Sequence, residues 1–226
     1  DTGTTKYQGG ISGILSSSGT SILEEGSQTN IIIKGAAVNS NGYLGTVGIG
    51  GDINAVGDVM VNILTEGGIG LRPAARDEKQ IYTGSVIINA DNGYAIGLID
   101  FREGKKAEIE IKPNTGKYVQ LIGDLKHFTT NETILSLIDV SFNTNNSFFT
   151  GASLGVDTTN NRKTKLSFKN GSYWNVTTDS IVSDLSLNQG IINMSYKNDR
   201  QKIDIENISG NSGTFVMDIS INDINQ

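Results

Sequence analysis

No cysteine occurs in this 226-residue chain, which excludes disulfides, zinc–thiolate centres and thiol chemistry. Proline appears only twice, too rarely for collagen or a proline-rich linker. Histidine and tryptophan appear once each, and aromatic residues make up 7%. No apolar run approaches the ~18 residues that a membrane-spanning helix needs. The runs Ile31–Ile33 and Ala95–Asp100 are strand-length at most. Basic residues are outnumbered, giving a net charge of -6 and a pI near 4.8, so a nucleic-acid partner is not expected. The chain begins at Asp1 without a methionine or an apolar leader, and it reads as a fragment or processed product. A secreted chain with no disulfides is more typical of a bacterial surface molecule than of a stapled extracellular module.

What the chain does have is glycine, 28 residues of it, and Ile, Val and Leu in alternating runs that argue against disorder. Apolar pairs and triplets at period two recur along its length. They include Val59, Val61 and Ile63; Val86 and Ile88; Ile109 and Ile111; Ile138, Val140 and Phe142; and Leu166 and Phe168. The pattern continues with Leu185 and Leu187; Ile203 and Ile205; and Phe215, Met217 and Ile219. Period two buries one face of a strand and wets the other. Glu108, Glu110 and Lys112 interleave with the isoleucines accordingly. The repeats recur about every 18 to 30 residues, which fits solenoid coils with loop insertions. The first thirty residues show weak periodicity and read as one incomplete or irregular coil.

Asn/Gly turns followed by a bulky residue punctuate the strands: Asn92-Gly93-Tyr94, Asn114 to Tyr118, Asn145 to Phe148, and Asn170 to Tyr173. Both residue types tolerate the left-handed backbone of a sharp corner. Plain β-hairpins in a sandwich or barrel are the alternative, because Asn-Gly is also a hairpin signal. The strands after these turns are short and soon interrupted, which favours an all-β solenoid. A single ~22-residue coil loses about 1–2 kcal/mol per residue in backbone freedom. Half a dozen buried side chains return only about 1.5–3 kcal/mol each, so coils must stack to be stable.

The segment from Asn170 carries Gly171, Ser172, Trp174, Val176, Thr177, Ser180, Val182, Leu185, Leu187, Asn188, Gly190, Ile192 and Met194. It resembles the C-terminal passenger region of pertactin-like bacterial autotransporters, as does the later Ile208 to Phe215 element. The match covers about a quarter of the chain. The resemblance implies a right-handed parallel β-helix (a single-stranded solenoid), displayed at the bacterial cell surface after type V secretion across the outer membrane. It implies coils over residues 1–165 and a capping, autochaperone-like part over 166–226. It also implies a downstream outer-membrane β-barrel of the same protein as partner, and an unidentified host-cell or matrix ligand. The expected function is a non-enzymatic stalk and adhesin, with no cofactor, no metal site and no catalytic residue. The chain departs from the family where Phe215 to Ile224 stops partway through the expected cap.

Bland and chemical readings compete at several residues. Trp174 is expected to pack at the start of the capping region rather than to stack on sugars. His127 has no nucleophile turn to serve and is expected in a surface loop. The stretch from Gly45 to Asp52 lacks the Lys-Ser/Thr of a phosphate loop and the tandem repeats of a calcium array, so it reads as tight packing at a coil corner. Lys105-Lys106 and Arg162-Lys163 read as edge-protecting charges. The Asn-x-Ser/Thr triplets at Asn131, Asn170, Asn175, Asn193 and Asn207 carry no meaning in a bacterial protein without a dedicated glycosyltransferase. A carbohydrate-active β-helix, lyase or hydrolase, is the alternative function. Its acids would come from Asp91, Asp100, Glu103 and Asp124.

Overall fold

The computed structural model describes residues 12–15, 20–34, 46–73, 77–99, 105–128, 135–157, 161–197 and 201–217. They form eighteen strands and no helix, and every strand pairing is parallel. Strands β1 (Ser12–Leu15), β2 (Ser21–Leu23) and β3 (Gln28–Ile33) make the first turn, and β4 (Val47–Gly50), β5 (Ile53–Ala55) and β6 (Asp58–Ile63) the second. β7 (Ile69–Arg72), β8 (Glu78–Tyr82) and the first half of β9 (Val86–Leu98) make the third. The rest of β9, then β10 (Lys106–Ile111) and the first half of β11 (Val119–His127), make the fourth. The rest of β11, β12 (Leu135–Phe142) and β13 (Phe148–Gly151) make the fifth. β14 (Ser153–Leu154), β15 (Arg162–Lys169) and β16 (Tyr173–Val176) make the sixth. β17 (Ser180–Asn193) and β18 (Ile203–Val216) then each run along two faces. The fold is therefore a parallel β-helix of about six three-sided turns.

Register turns period-two sequence into interior columns. On the third face, Ile31, Val61, Ile88, Leu121, Phe149, Trp174, Ile192 and Phe215 are successive partners. On the second face, Ala55, Tyr82, Ile111, Val140, Leu166 and Leu185 do the same. Most of these side chains are fully buried, so each turn supplies the floor for the next. Hydrogen bonds between neighbouring turns link residues from 18 apart (Asn193 to Asn175) to 37 apart (His127 to Thr164). That spread takes in the repeat spacing of about 18 to 30 residues read from the sequence and runs beyond it.

The cross-section changes along the axis. In the early turns a Cβ on Gly48 would lie 2.3 Å from Val61 Cγ1, and one on Gly70 would lie 2.3 Å from Ile88 Cγ2. Backbone there packs directly against side chains of the opposite face. Later, aromatic rings fill the interior. Phe142 stacks on Phe168 at 4.6 Å, and Phe149 stacks on Trp174 at 5.4 Å.

Several expectations need correction. His127 is not in a surface loop. It ends β11, is buried, and sits between Ser136 Oγ at 2.7 Å and Thr164 Oγ1 at 3.0 Å. The stretch from Gly45 is not a corner throughout: Val47–Gly50 is strand β4, and the bend follows at Gly51 and Asp52. Asn92 and Gly93 do not end a strand, because β9 bends through them. Phe215 and Met217 continue the apolar pattern but are 37% and 54% exposed, since β18 is the last described strand. The first turn holds three strands, β1 to β3, more regular than an incomplete coil. Residues 1–11 and 16–19, the tail 218–226 with Ile219, and Asn131 lie outside the described residues. β15 spans the expected boundary between 165 and 166.

Candidate binding groove

The chain turns from the third face to the first at a corner built on glycine. Asn89 pairs with Ile122, and Tyr94 pairs with Asp124. Four residues, Ala90 to Gly93, thus turn the corner on one level, where Gly123 alone does so on the next. Gly123 has φ +112°, and a Cβ there would meet the Ala90 carbonyl oxygen at 2.5 Å. Only glycine accepts both the conformation and the contact. A Cβ on Gly151 would in turn lie 2.4 Å from the Gly123 carbonyl oxygen. The floor here is bare backbone, while Asp91 and Asn92 overhang it.

The result is a groove of about 460 Å³ walled by Glu66, Asp91, Tyr94, Asp124, Tyr196 and Lys197. It continues onto the outer surface of the third face as a second hollow of about 650 Å³, with Asp91, Asn92, Thr150 and Tyr196 common to both. In that second part Phe148 and Tyr173, partners in register, stack with centroids 5.3 Å apart. Beside them runs a polar ladder. Asn175 Nδ2 donates to Thr150 Oγ1, and Asn193 Nδ2 donates to Asn175 Oδ1, both at 3.2 Å. Tyr196, from the turn after β17, is 48% exposed.

Burial holds the Asp124 carboxyl above its ordinary pKa, against the Ala152 N–H that donates to it at 2.8 Å and the charges of Lys126 and Lys197. Lys126 Nζ lies 5.1 Å from the Tyr94 ring centroid and 4.8 Å from that of Phe128. Tyr94 and Phe128 meet edge to face at 4.8 Å. His127 is pushed down to about 3, first by burial and then by the Arg162 charge, with Asp157 opposing. It is therefore neutral inside the stack.

The structure brings Asp91 and Asp124 to one groove and adds Glu66 to them. Asp100 and Glu103 lie outside the described residues. Among the described residues, no group of three or more histidines or carboxylates could hold a metal ion. Trp174 is buried, donating from Nε1 to the Gly151 carbonyl at 2.9 Å, directly beneath the groove floor. Lys105 pairs with Asp77, and Arg162 pairs with Asp157 at 2.7 Å, so both cations tether the starts of strands. Glu66, Tyr196 and the Asn175 ladder were missed by the reading of the sequence. Their only signal is outward parity within strands or turns whose register the sequence leaves open. Comparisons with protein-family models, with curated proteins and with solved structures return no match.

Proposed function

We propose that this chain is a surface-displayed β-helical passenger fragment of the autotransporter type. It acts as a non-catalytic stalk and adhesive surface, and its turns from residue 166 onward stabilise the stack during folding. The carrying observation is where chemistry lies relative to the register. Mostly apolar columns occupy the interior, where buried polar side chains such as Gln80, His127 and Thr164 are taken up in internal hydrogen bonds, and the polar and aromatic groups able to meet a ligand line the outer groove. The residues that carry the family resemblance also have consistent structural uses. Ser172, Trp174, Val176, Ser180, Val182, Leu185 and Ile192 are all buried, and Asn170 takes a left-handed φ of 54°. Antibodies against the chain should label intact, unpermeabilised cells that produce it. Labelling only after permeabilisation would overturn the reading.

A carbohydrate-active enzyme remains a second reading, favoured by one observation. Asp91 and Asp124 share a groove, and burial raises the Asp124 pKa in the manner of a general acid. Release of reducing ends or unsaturated products from a polysaccharide, lost in Asp124→Asn, would support it.

A further inference from the structure

We propose that the two-part groove binds an uncharged oligosaccharide along the helix axis. This rests on the reading of the outer surface as the working surface, and it names the ligand class. Sugars present two chemistries at once: apolar C–H faces that lie against aromatic rings, and hydroxyls that need paired donors and acceptors. The groove offers both. Phe148 and Tyr173 form a stacked aromatic strip on its floor, and Tyr196 rises at its side. Aromatic rings give contact area, and tyrosine adds a polar tip. Next to that strip, Thr150, Asn175 and Asn193 are joined by single side-chain bonds. Each side-chain amide can make up to four hydrogen bonds, so capacity is left for hydroxyls.

Shape and charge narrow the class further. The lining runs from Leu64 through Asn89, Ile122 and Thr150 to Asn175, five successive levels of the stack. With strands ~4.8 Å apart, that is a trough of roughly 19 Å, suited to an oligomer rather than a single ring. Glu66, Asp91 and Asp124 face it against one lysine, Lys197. An anionic glycan such as a polyuronate would meet like charge, which costs affinity. The glycine corner matters here because a Cβ at Gly123 or Gly151 would collide with the backbone of the neighbouring turn, so no side chain stands at either position of the groove wall.

The test uses the whole chain and titration calorimetry with hexamers of β-1,4-glucose, β-1,4-mannose, β-1,4-galactose and N-acetylglucosamine, and with hexagalacturonate. At least one uncharged hexamer should bind, hexagalacturonate should bind more weakly, and Tyr196→Ala and Tyr173→Ala should each weaken binding about tenfold or more. Tyr196 is half exposed, so its variant is expected to keep the wild-type circular dichroism melt. Tyr173→Leu keeps apolar volume in the strand should Tyr173→Ala melt early. No binding by any uncharged hexamer, an equal or better fit of hexagalacturonate, or indifference to the tyrosine substitutions would overturn the proposal. Cell-surface labelling reports the broader reading separately, so a displayed chain that ignores these sugars would sink this inference alone.

Discussion

The early and late turns of this β-helix solve the same packing problem in opposite ways. In turns two and three the interior is narrow. Gly48 and Gly70 bring backbone against Val61 and Ile88, and the third-face column is filled by β-branched residues. In turns five and six the same column holds Phe149 and Trp174, with Phe142 and Phe168 facing them. Aromatic side chains bury about 150–250 Å² each, so each late turn contributes more to stability per residue. In the sixth turn the first-face strand, β14, is only two residues long. The lesson is that stability is concentrated towards the C-terminal turns. The early turns depend on what stacks beneath them.

The strongest way to break this contrast is a charge in a late column. Leu185 is fully buried, and Leu185→Asp would leave a carboxylate without a partner. We expect loss of the folded state for the whole chain, a cost above ~4 kcal/mol. Ile22→Asp in the first turn, where the side chain is 66% exposed, should change stability by less than about 0.5 kcal/mol. Denaturant titration of both variants decides the matter. Comparable losses would remove the asymmetry.

Next in size is Trp174→Ala. It removes the ring between Phe149 and Phe168 and leaves the Gly151 carbonyl without its donor. A loss of about 3–5 kcal/mol is expected, against ~0.5–1.5 kcal/mol for Ile88→Val higher in the same column. Because Trp174 is the only tryptophan, its fluorescence reports the late turns alone. During refolding its signal should reach the native value before far-ultraviolet circular dichroism does. The reverse order would contradict a folding role for the C-terminal turns.

His127 sharpens the comparison through pH. Its folded pKa is about 3 against an ordinary 6.5, so acid favours the unfolded chain, which takes up the proton. Its contribution is complete above pH 6.5 and is lost as pH falls towards 3. The slope is about 1.4 kcal/mol per pH unit for one proton. Asp58 and Glu110 have lowered pKa values and lose their contributions only as pH falls below the ordinary carboxylate range, whereas Asp124, with its raised pKa, shifts the opposite way. From pH 6.5 to 5 the carboxylates with lowered pKa values stay ionised, and Asp124 pulls the profile in the direction opposite to the histidine. His127→Gln should flatten the stability profile there, and an unchanged slope would mean that His127 is not the group responsible.

Much of the fold was legible because strand parity survives any uncertainty about loops. The pairs Ile109 and Ile111, and Leu166 and Phe168, point inward wherever the turns fall. Register was not legible. Which residue of one turn sits on which residue of the next depends on loop lengths that vary from coil to coil, so Tyr173 above Phe148 could not be read from spacing. His127 was misplaced for a related reason. Being polar, it resembles a loop residue, yet Ser136 from its own turn and Thr164 from the next satisfy both ring nitrogens. Of the groove, Asp91 and Asp124 were recognisable as acids beyond strand ends. Their meeting depends on the one-residue corner at Gly123.

The smallest expected effect lies on the outer surface of the second face, where a ladder of charge crosses three turns. Lys79 Nζ lies 2.7 Å from Glu110, and Lys112 Nζ lies 2.7 Å from Asp139 and 3.6 Å from Glu110. The Lys79 hydrogen bond holds the Glu110 carboxyl below its ordinary range, and the Asp139 hydrogen bond raises the Lys112 ammonium. Both lysine side chains are more than a third exposed, so water and salt screen most of this attraction. Lys112→Ala should cost only about 0.2–1 kcal/mol, with the difference fading at 1 M salt. The parallel stack itself forces the charges together, since Glu108 and Glu110 sit directly between Lys79 and Ile81 on one side and Leu137 and Asp139 on the other. Glu110 and Asp139 are register partners of like charge, and Lys112 Nζ bridges the two carboxylates, offsetting a repulsion that would work against the register that the interior already fixes. A loss well above 1 kcal/mol, or one that salt does not diminish, would mean that the exterior helps set the register rather than following it.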